Sequence, residues 1–492
     1  MAGYSPLPEE LRTAKPASET TRRTNASLLS KLDFTDRRSF ENARRGFIAS
    51  LEEVIIPHDN GSRPAYDLEA LNFLENEAPD TVNPSLWRMA QLNAQHHGLF
   101  EVVDSIYQVR SFDLANMTLI RGDTGWLIID PLTCAETARA ALKIANEKLG
   151  ERQVTGIIIT HSHIDHFGGI HGVISPDEIA SGQVPIIAPV DFVDESLSEN
   201  VLAGNVMNRR ATYMYGNLLD PSPTGFVTNG LGAILPMGSV GFVIPNDIVR
   251  KTGETRSIDG IEIEFQMTMG TEAPAEMVFY FPQFKALCMS EITSHHLHNV
   301  YTPRGAQVRD SLAWANQINE SIDLFGDRLE VQFACHHWPT WGQDEAVDYL
   351  KKQRVLYKFI HDQSLRLANL GYNKEEIAEQ IEVEVGDGNY HFAASGSMRG
   401  NAHDWFYRET GCIQYLVEVG YTPDHDYGDD LLIESDHLGD VLESNLDAFY
   451  HLLMRASGQN KENVLKTIWY EAGQGSIAHI KILAELGCLD DD

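Results

Sequence analysis

The stretch THSHIDHFGG, residues 160–169, gathers three histidines and an aspartate directly behind the apolar run VTGIII of residues 154–159. A short β-branched run of this kind reads as a buried strand. The polar cluster therefore begins where a strand ends, the place from which loops of layered α/β folds aim side chains at a ligand. His161 and His163 lie two apart and point the same way if the chain stays extended, while Asp165 and His166 follow around the turn. Gly168 and Gly169 let that turn close tightly. Imidazole nitrogen and carboxylate oxygen suit zinc and its borderline-soft neighbours. One histidine here would read as part of a polar surface loop, but H-x-H-x-D-H after an apolar strand reads as a metal loop.

The whole chain narrows the classes of partner. Its 492 residues, 43% hydrophobic, are enough for two or more domains with real cores. Lys and Arg number 38 against 71 Asp and Glu, a formal charge of -33 that repels polyanions and argues against nucleic acid as a partner. A small anionic substrate is still compatible, because local arginines and metal ions reverse the field inside a pocket. The N-terminus has no apolar signal region and no run reaches membrane-spanning length, so no stable membrane insertion is expected. Cys134, Cys288, Cys335, Cys412 and Cys488 are odd in number and widely spaced, which fits free thiols. The expectation is a cytoplasmic protein, or a periplasmic or secreted one had a leader been removed.

Three segments follow from the pattern. Residues 1–95 read as an N-terminal extension whose stretch DRRSFENARRGFIASLEEVI, residues 36–55, is amphipathic and predicts a helix packed on the domain that follows. Residues 96–342 alternate strand-like and helical runs and read as one α/β domain that carries the metal loop: EVVDSIYQV, ANMTLIRG and GWLIIDP, the helical AETARAALKIANEKLG, then VTGIIIT. Strands resume at IEIEFQM, MVFYFP, ALCMS and LEVQFAC. From Gln343 the text becomes almost entirely helical, beginning with EAVDYLKKQRVLYKFIHDQSLRLANLG, so residues 343–492 are assigned to a separate helical domain.

The metal loop resembles that of the metallo-β-lactamase superfamily. The resemblance implies an αββα sandwich and bound metal but leaves the substrate open, since one scaffold serves lactams, thioesters, lactones, phosphodiesters and sulfate esters. Asp130 falls where this superfamily has an aspartate supporting the loop, and equally reads as a turn-forming Asp-Pro. The loop alone cannot serve two catalytic ions, each of which takes about three protein groups and keeps a position for water. Downstream candidates are Glu272 or Glu276 in GTEAPAEM, Glu291 in CMSEITSHHLHN, and His336 or His337 in FACHHWPTWG.

These segments, with APDTVNPSLWR, GLFEVVDSIYQVRSFDLANMTLIRGDTGW and NRRATYMYG, resemble the alkylsulfatase branch of that superfamily over residues 34–345. The resemblance implies two Zn2+ per chain: His161, His163 and Glu272 on one, Asp165, His166 and His336 on the other, with Glu291 and a water between them. Glu276 and His337 are the second choices. Arg304 and Arg309, just after the Glu291 loop, are the candidates for a sulfate clamp, because guanidinium binds an oxyanion through paired hydrogen bonds. Asn299 and Tyr215 are candidate neutral donors.

The family continues with an all-helical dimerisation domain, so a homodimer is expected. GNAHDWFYRETGCIQYL is similar to a family segment contributing to the active site, which makes His403 and Tyr415 candidates for a polar or proton-donating group near the ester oxygen. The C-terminal sterol-carrier-like domain common in the family is not expected in this chain, which leaves Trp338, Trp341, Met207 and Met214 as candidate lining of an alkyl channel. The expected function is zinc-dependent hydrolysis of a small-molecule alkyl sulfate to alcohol and inorganic sulfate. A glyoxalase- or lactonase-like hydrolase of a neutral ester, or a non-catalytic metal-binding assembly protein, are the alternatives.

Overall fold

The structure, a computed structural model, describes residues 16–61, 63–216, 219–385 and 388–391. Strand β1 (Phe47–Ala49) is followed by a hairpin of β2 (Ile55–Pro57) and β3 (Pro64–Asp67). Next come β4 (Gly98–Val103), β5 (Ile106–Arg110), β6 (Met117–Arg121), β7 (Trp126–Ile129), β8 (Val154–Ile158), β9 (Ile186–Pro189) and β10 (Asp247–Val249). Together with β1 they form a sheet of order β1-β4-β5-β6-β7-β8-β9-β10, antiparallel from β1 to β7 and parallel from β7 to β10. A second sheet takes β11 (Thr255–Ile258), β12 (Ile261–Met267), β13 (Met277–Phe281), β14 (Ala286–Cys288), β15 (Val331–Phe333) and β16 (Thr340–Trp341) in chain order.

Alternation along the strands sorts their side chains into layers. Leu127, Ile129 and Ile158 of the first sheet face Met277, Phe279, Phe281 and Phe333 of the second, forming the core between the sheets. Trp126, Ile128 and Ile157 turn outward against Ala138, Ala141 and Ile144 of the helix Ala135–Leu149. On the far side Val278, Tyr280 and Leu287 meet Trp314 and Ile318 of the helix Ser311–Phe325 and Leu350 and Tyr357 of the helix Gln343–Asn369. The result is the expected αββα sandwich.

At one end the sheets are joined directly. Met277 N donates to Thr160 O at 3.1 Å, Ser162 N donates to Ala275 O at 3.2 Å, and His161 pairs with Glu276 in an isolated bridge.

The helix expected over residues 36–55 is corrected by the structure: only Arg38–Arg44 is helical, and Phe47–Ala49 is an edge strand. Gly46 explains the break. Its φ is +75°, and its carbonyl accepts from Glu101 N at 2.7 Å. A Cβ there would lie 1.9 Å from Glu101 O, so the chain turns against β4 at a point only glycine occupies. A second departure is a hairpin of β17 (Glu382–Val385) and β18 (Gly388–His391) within the stretch read as helical. The β-branched alternation of EVEV, followed by the Gly-Asp-Gly sequence, is the signal that the helical reading passed over.

Cys134, Cys288 and Cys335 are buried free thiols. Among the described residues no helix is long and apolar enough to cross a membrane.

Candidate metal centre

Strand β8 delivers the histidine loop into a fixed frame built by Asp130, the residue after β7. Its carboxylate accepts from Thr160 N at 2.9 Å, Thr160 Oγ1 at 2.7 Å and His166 Nδ1 at 2.8 Å. Asp130 also has a φ of 54°, so it makes the turn as well as supporting the loop. With Nδ1 as the donor, His166 turns the lone pair of Nε2 inward, the tautomer that a ligating histidine needs.

Three loops at strand ends supply the remaining groups: Glu272 lies between β12 and β13, Glu291 after β14, and His336 after β15. Two clusters result, His161-His163-Glu272-Glu291 and Asp165-His166-Glu291-His336, and Glu291 belongs to both. Its Oε2 stands 3.3 Å from Nε2 of His161, of His166 and of His336. Asp165 Oδ2 is 3.2 Å from His166 Nε2, and Glu272 Oε2 is 2.8 Å from His163 Nδ1 and 3.4 Å from His161 Nε2.

The buried Nε2 atoms of His161, His166 and His336 and Oε2 of Glu272 have no hydrogen-bond partner among the described residues. Orphaned buried polar atoms converging on a point carry a desolvation cost unless something binds them. Two ligands of a tetrahedral ion at about 2.0–2.1 Å stand roughly 3.3 Å from each other, so the observed spacings are those of polyhedron edges. The residues present fit divalent cations with nitrogen and oxygen donors.

Charge is arranged accordingly. Burial alone would raise the Glu291 carboxyl, but His336, His161 and His166 outweigh it and hold it well below the ordinary carboxylate range. Burial would likewise raise Glu272, and Arg309 with His163 brings it well down.

The second choices of the sequence reading fall outside the clusters. Glu276 Oε2 accepts from Thr271 Oγ1 and from the backbone N–H groups of Glu272 and Ala273, while its Oε1 accepts from Glu291 N, so it braces two ligand-bearing turns. His337, at a φ of 62°, accepts from His295 N at Nδ1 and faces Gly230 O with Nε2.

The paired arginines part company. All three Arg309 nitrogens are engaged: Nε and Nη2 donate to the carbonyl and carboxylate of Glu272, and Nη1 donates to Asn299 O and Oδ1. Asn299 is thereby occupied as an acceptor for Arg309. Arg304 contacts Glu199 through Nη1 at 2.8 Å and lines a cavity of about 540 Å3. Tyr215 also lines it, its hydroxyl pushed up to about 12, chiefly by burial.

Met207 and Met214 form part of the same wall with Leu231, Leu235, Met237 and Val240. Trp338 and Trp341, proposed with them as lining, are placed elsewhere. Trp338 stacks on His295 with ring centroids 4.5 Å apart, and Trp341 Nε1 donates to Val102 O at 2.7 Å. His403 and Tyr415 lie outside the described residues.

Two groups were missed. His298 Nε2 lies 3.2 Å from Glu291 Oε1 and 3.3 Å from Glu272 Oε1, touching both clusters. The string SHHLHN so soon after Glu291 was the available signal. Glu199, 8% exposed, lies in a π-turn at Ser198–Leu202 with Oε2 at 3.6 Å from His163 Nε2, and nothing in its local sequence marks it.

Residues 110–336 match the metallo-β-lactamase superfamily. The chain is 47% identical over 373 residues to a linear primary-alkylsulfatase of Pseudomonas sp., a match covering 75% of this chain and 55% of that protein. It is 42% identical over 383 residues to an (R)-specific secondary-alkylsulfatase of Pseudomonas sp., covering 77% of this chain and 57% of the relative. The chain thus spans a little over half the length of these curated relatives. A solved structure of a double mutant of a sec-alkyl sulfatase is 37% identical with a TM-score of 0.76, covering 94% of this chain and 70% of that one.

Proposed function

From the premise that this chain belongs to the alkylsulfatase family of the metallo-β-lactamase superfamily, we propose that it is a binuclear zinc hydrolase cleaving alkyl sulfate esters to an alcohol and inorganic sulfate. The observation that carries the reading is Glu291, one carboxylate oxygen equidistant from three histidines of two clusters. A single ion cannot use all of these donors.

His161, His163 and Glu272 would hold one zinc, Asp165, His166 and His336 the other, with Glu291 between them. Bound there, the two cations supply Lewis acidity and a nucleophile from water at neutral pH. The chain's own groups do the rest. Arg304, with one nitrogen on Glu199 and donors to spare, meets the sulfate oxygens. Arg309 holds Glu272 in the orientation its ligand atom requires. Met207, Met214 and Leu235 offer an apolar wall to the alkyl chain and exclude water from the ester.

The reading includes a homodimer, supported by the exposed Val355 and Leu365 on the helix Gln343–Asn369, whose state light scattering at micromolar concentration would establish. For the chemistry, protein stripped by a chelator and reloaded should bind two zinc ions per chain and release sulfate from a medium-chain alkyl sulfate. One ion or fewer after loading, or faster turnover of a neutral ester or lactone, would overturn the proposal.

A further inference from the structure

Away from the metal clusters, on the far side of the His337–Trp338 turn, a second and much smaller cavity of about 20 Å3 lies between the N-terminal helices and the first sheet. Its walls include Ala43, His96, Arg110, Asp113, His337 and Trp338. Arg110 is 3% exposed and meets no carboxylate among the described residues. Nε donates to Gln108 Oε1 at 3.1 Å and Nη1 to Ala43 O at 3.2 Å, while Nη2 is buried without a partner among the described residues. The guanidinium also lies over the Phe100 ring, 4.4 Å from its centroid. An isolated buried cation costs several kcal/mol unless a counter-charge accompanies it.

The surroundings reinforce the imbalance. His96 Nε2 is a second buried atom with no hydrogen-bond partner among the described residues. Burial, with Arg44, Arg110, His97 and Arg37 beside it, lowers the His96 ring to about 4, so positive charge collects around it in a chain whose formal charge is -33. The neutral ring is free to present an Nε2–H donor. Asp113 does not fill the role of counter-ion: its two oxygens accept from Thr133 N and Oγ1, Thr137 Oγ1 and Leu114 N.

We propose that this cavity is a binding site for a small monovalent inorganic anion of halide size, held by Arg110 Nη2 and His96 Nε2. Its volume suits a small ion, and none of the residues of the two metal clusters lines it. The site is therefore separate from substrate binding. The anion neutralises Arg110 and ties the helix Arg38–Arg44, through Ala43, to the turn that follows His336.

Crystals of the full chain soaked in bromide test this directly, and thermal unfolding in chloride against gluconate at matched ionic strength tests it in solution. An anomalous peak between Arg110 Nη2 and His96 Nε2 is expected. Wild-type Tm should rise saturably by about 2–4 °C with chloride, and the rise should vanish in Arg110→Gln. No anomalous peak, leaving water as the occupant, overturns the proposal, and so does an equal chloride-dependent rise in Arg110→Gln. Should Arg110→Gln fail to fold, the peak on wild-type crystals decides, with His96→Phe as the variant for the chloride titration.

Discussion

The loop at residues 160–169 and the loop at residues 291–309 face the same cavity, and they are built by opposite means. In the first, ligand candidates are packed into six residues and oriented by one aspartate from the neighbouring strand. In the second, Glu291, His298 and Arg309 are spread along a long excursion between β14 and the helix Ser311–Phe325, and each is fixed by partners distant in sequence. The first loop declares its chemistry through spacing. The second acquires it through packing, and residue type alone does not separate Arg304, on Glu199, from Arg309, on Glu272.

The sharpest way to break this comparison is at the residue the two loops share. Glu291→Gln should bind fewer than two zinc ions and lose turnover to below detection, with metal content measured by elemental analysis. A glutamine variant that keeps both ions and its activity would mean the shared carboxylate is incidental.

The arginines come next. Arg304→Ala should depress turnover of an alkyl sulfate by about 100-fold to 1,000-fold, roughly 3–4 kcal/mol, while affecting a neutral ester little. Lysine should restore only part, lacking the planar fork. Equal loss on both substrates would remove Arg304 from sulfate recognition.

Arg309 and His298 should behave as supporting groups. Arg309→Lys and His298→Gln are expected to weaken zinc affinity by about 10-fold to 100-fold, measured by competition with a chromophoric chelator. Unchanged affinity with lost sulfate selectivity would return Arg309 to the clamp.

The smallest effect concerns Glu136, which holds Ser239 between two residues of the cavity wall, Gly238 and Val240. Burial raises the Glu136 carboxyl, but hydrogen bonds from Ser239 N and Oγ and from Asp59 N outweigh it and bring it down to about 2 from 4.5. A depressed folded pKa stabilises above the unfolded value and loses its effect as pH falls from about 4.5 toward 2. Glu136→Gln should cost about 1–3 kcal/mol at neutral pH and flatten that acid limb in denaturant titrations.

The fold was legible because its strands are apolar and punctuated: GWLIIDP, VTGIII and MVFYFP appear as β7, β8 and β13. The N-terminal extension was not, since FIASLEEVI has helical periodicity and only contact with Glu101 forces the chain at Gly46 into a strand. In the site, Glu272 was separable from Glu276 only by knowing which carboxylate the backbone N–H groups of the turn capture. His298 and Glu199 escaped because their significance lies in what stands opposite them.

The direct join between the sheets makes the centre a calliper. His161, His163, Asp165 and His166 are carried by one sheet, Glu272, Glu291 and His336 by the other, and the strands meet edge to edge through Met277 and Thr160. The opening of the calliper is set by Phe279, Phe281 and Phe333, which keep the jaws apart. Ion retention would then report the thickness of that hydrophobic layer, and a bound ion would in turn clamp it. Swelling of the sandwich, by heat or by a core substitution, would register first as release of metal, before any strand came loose.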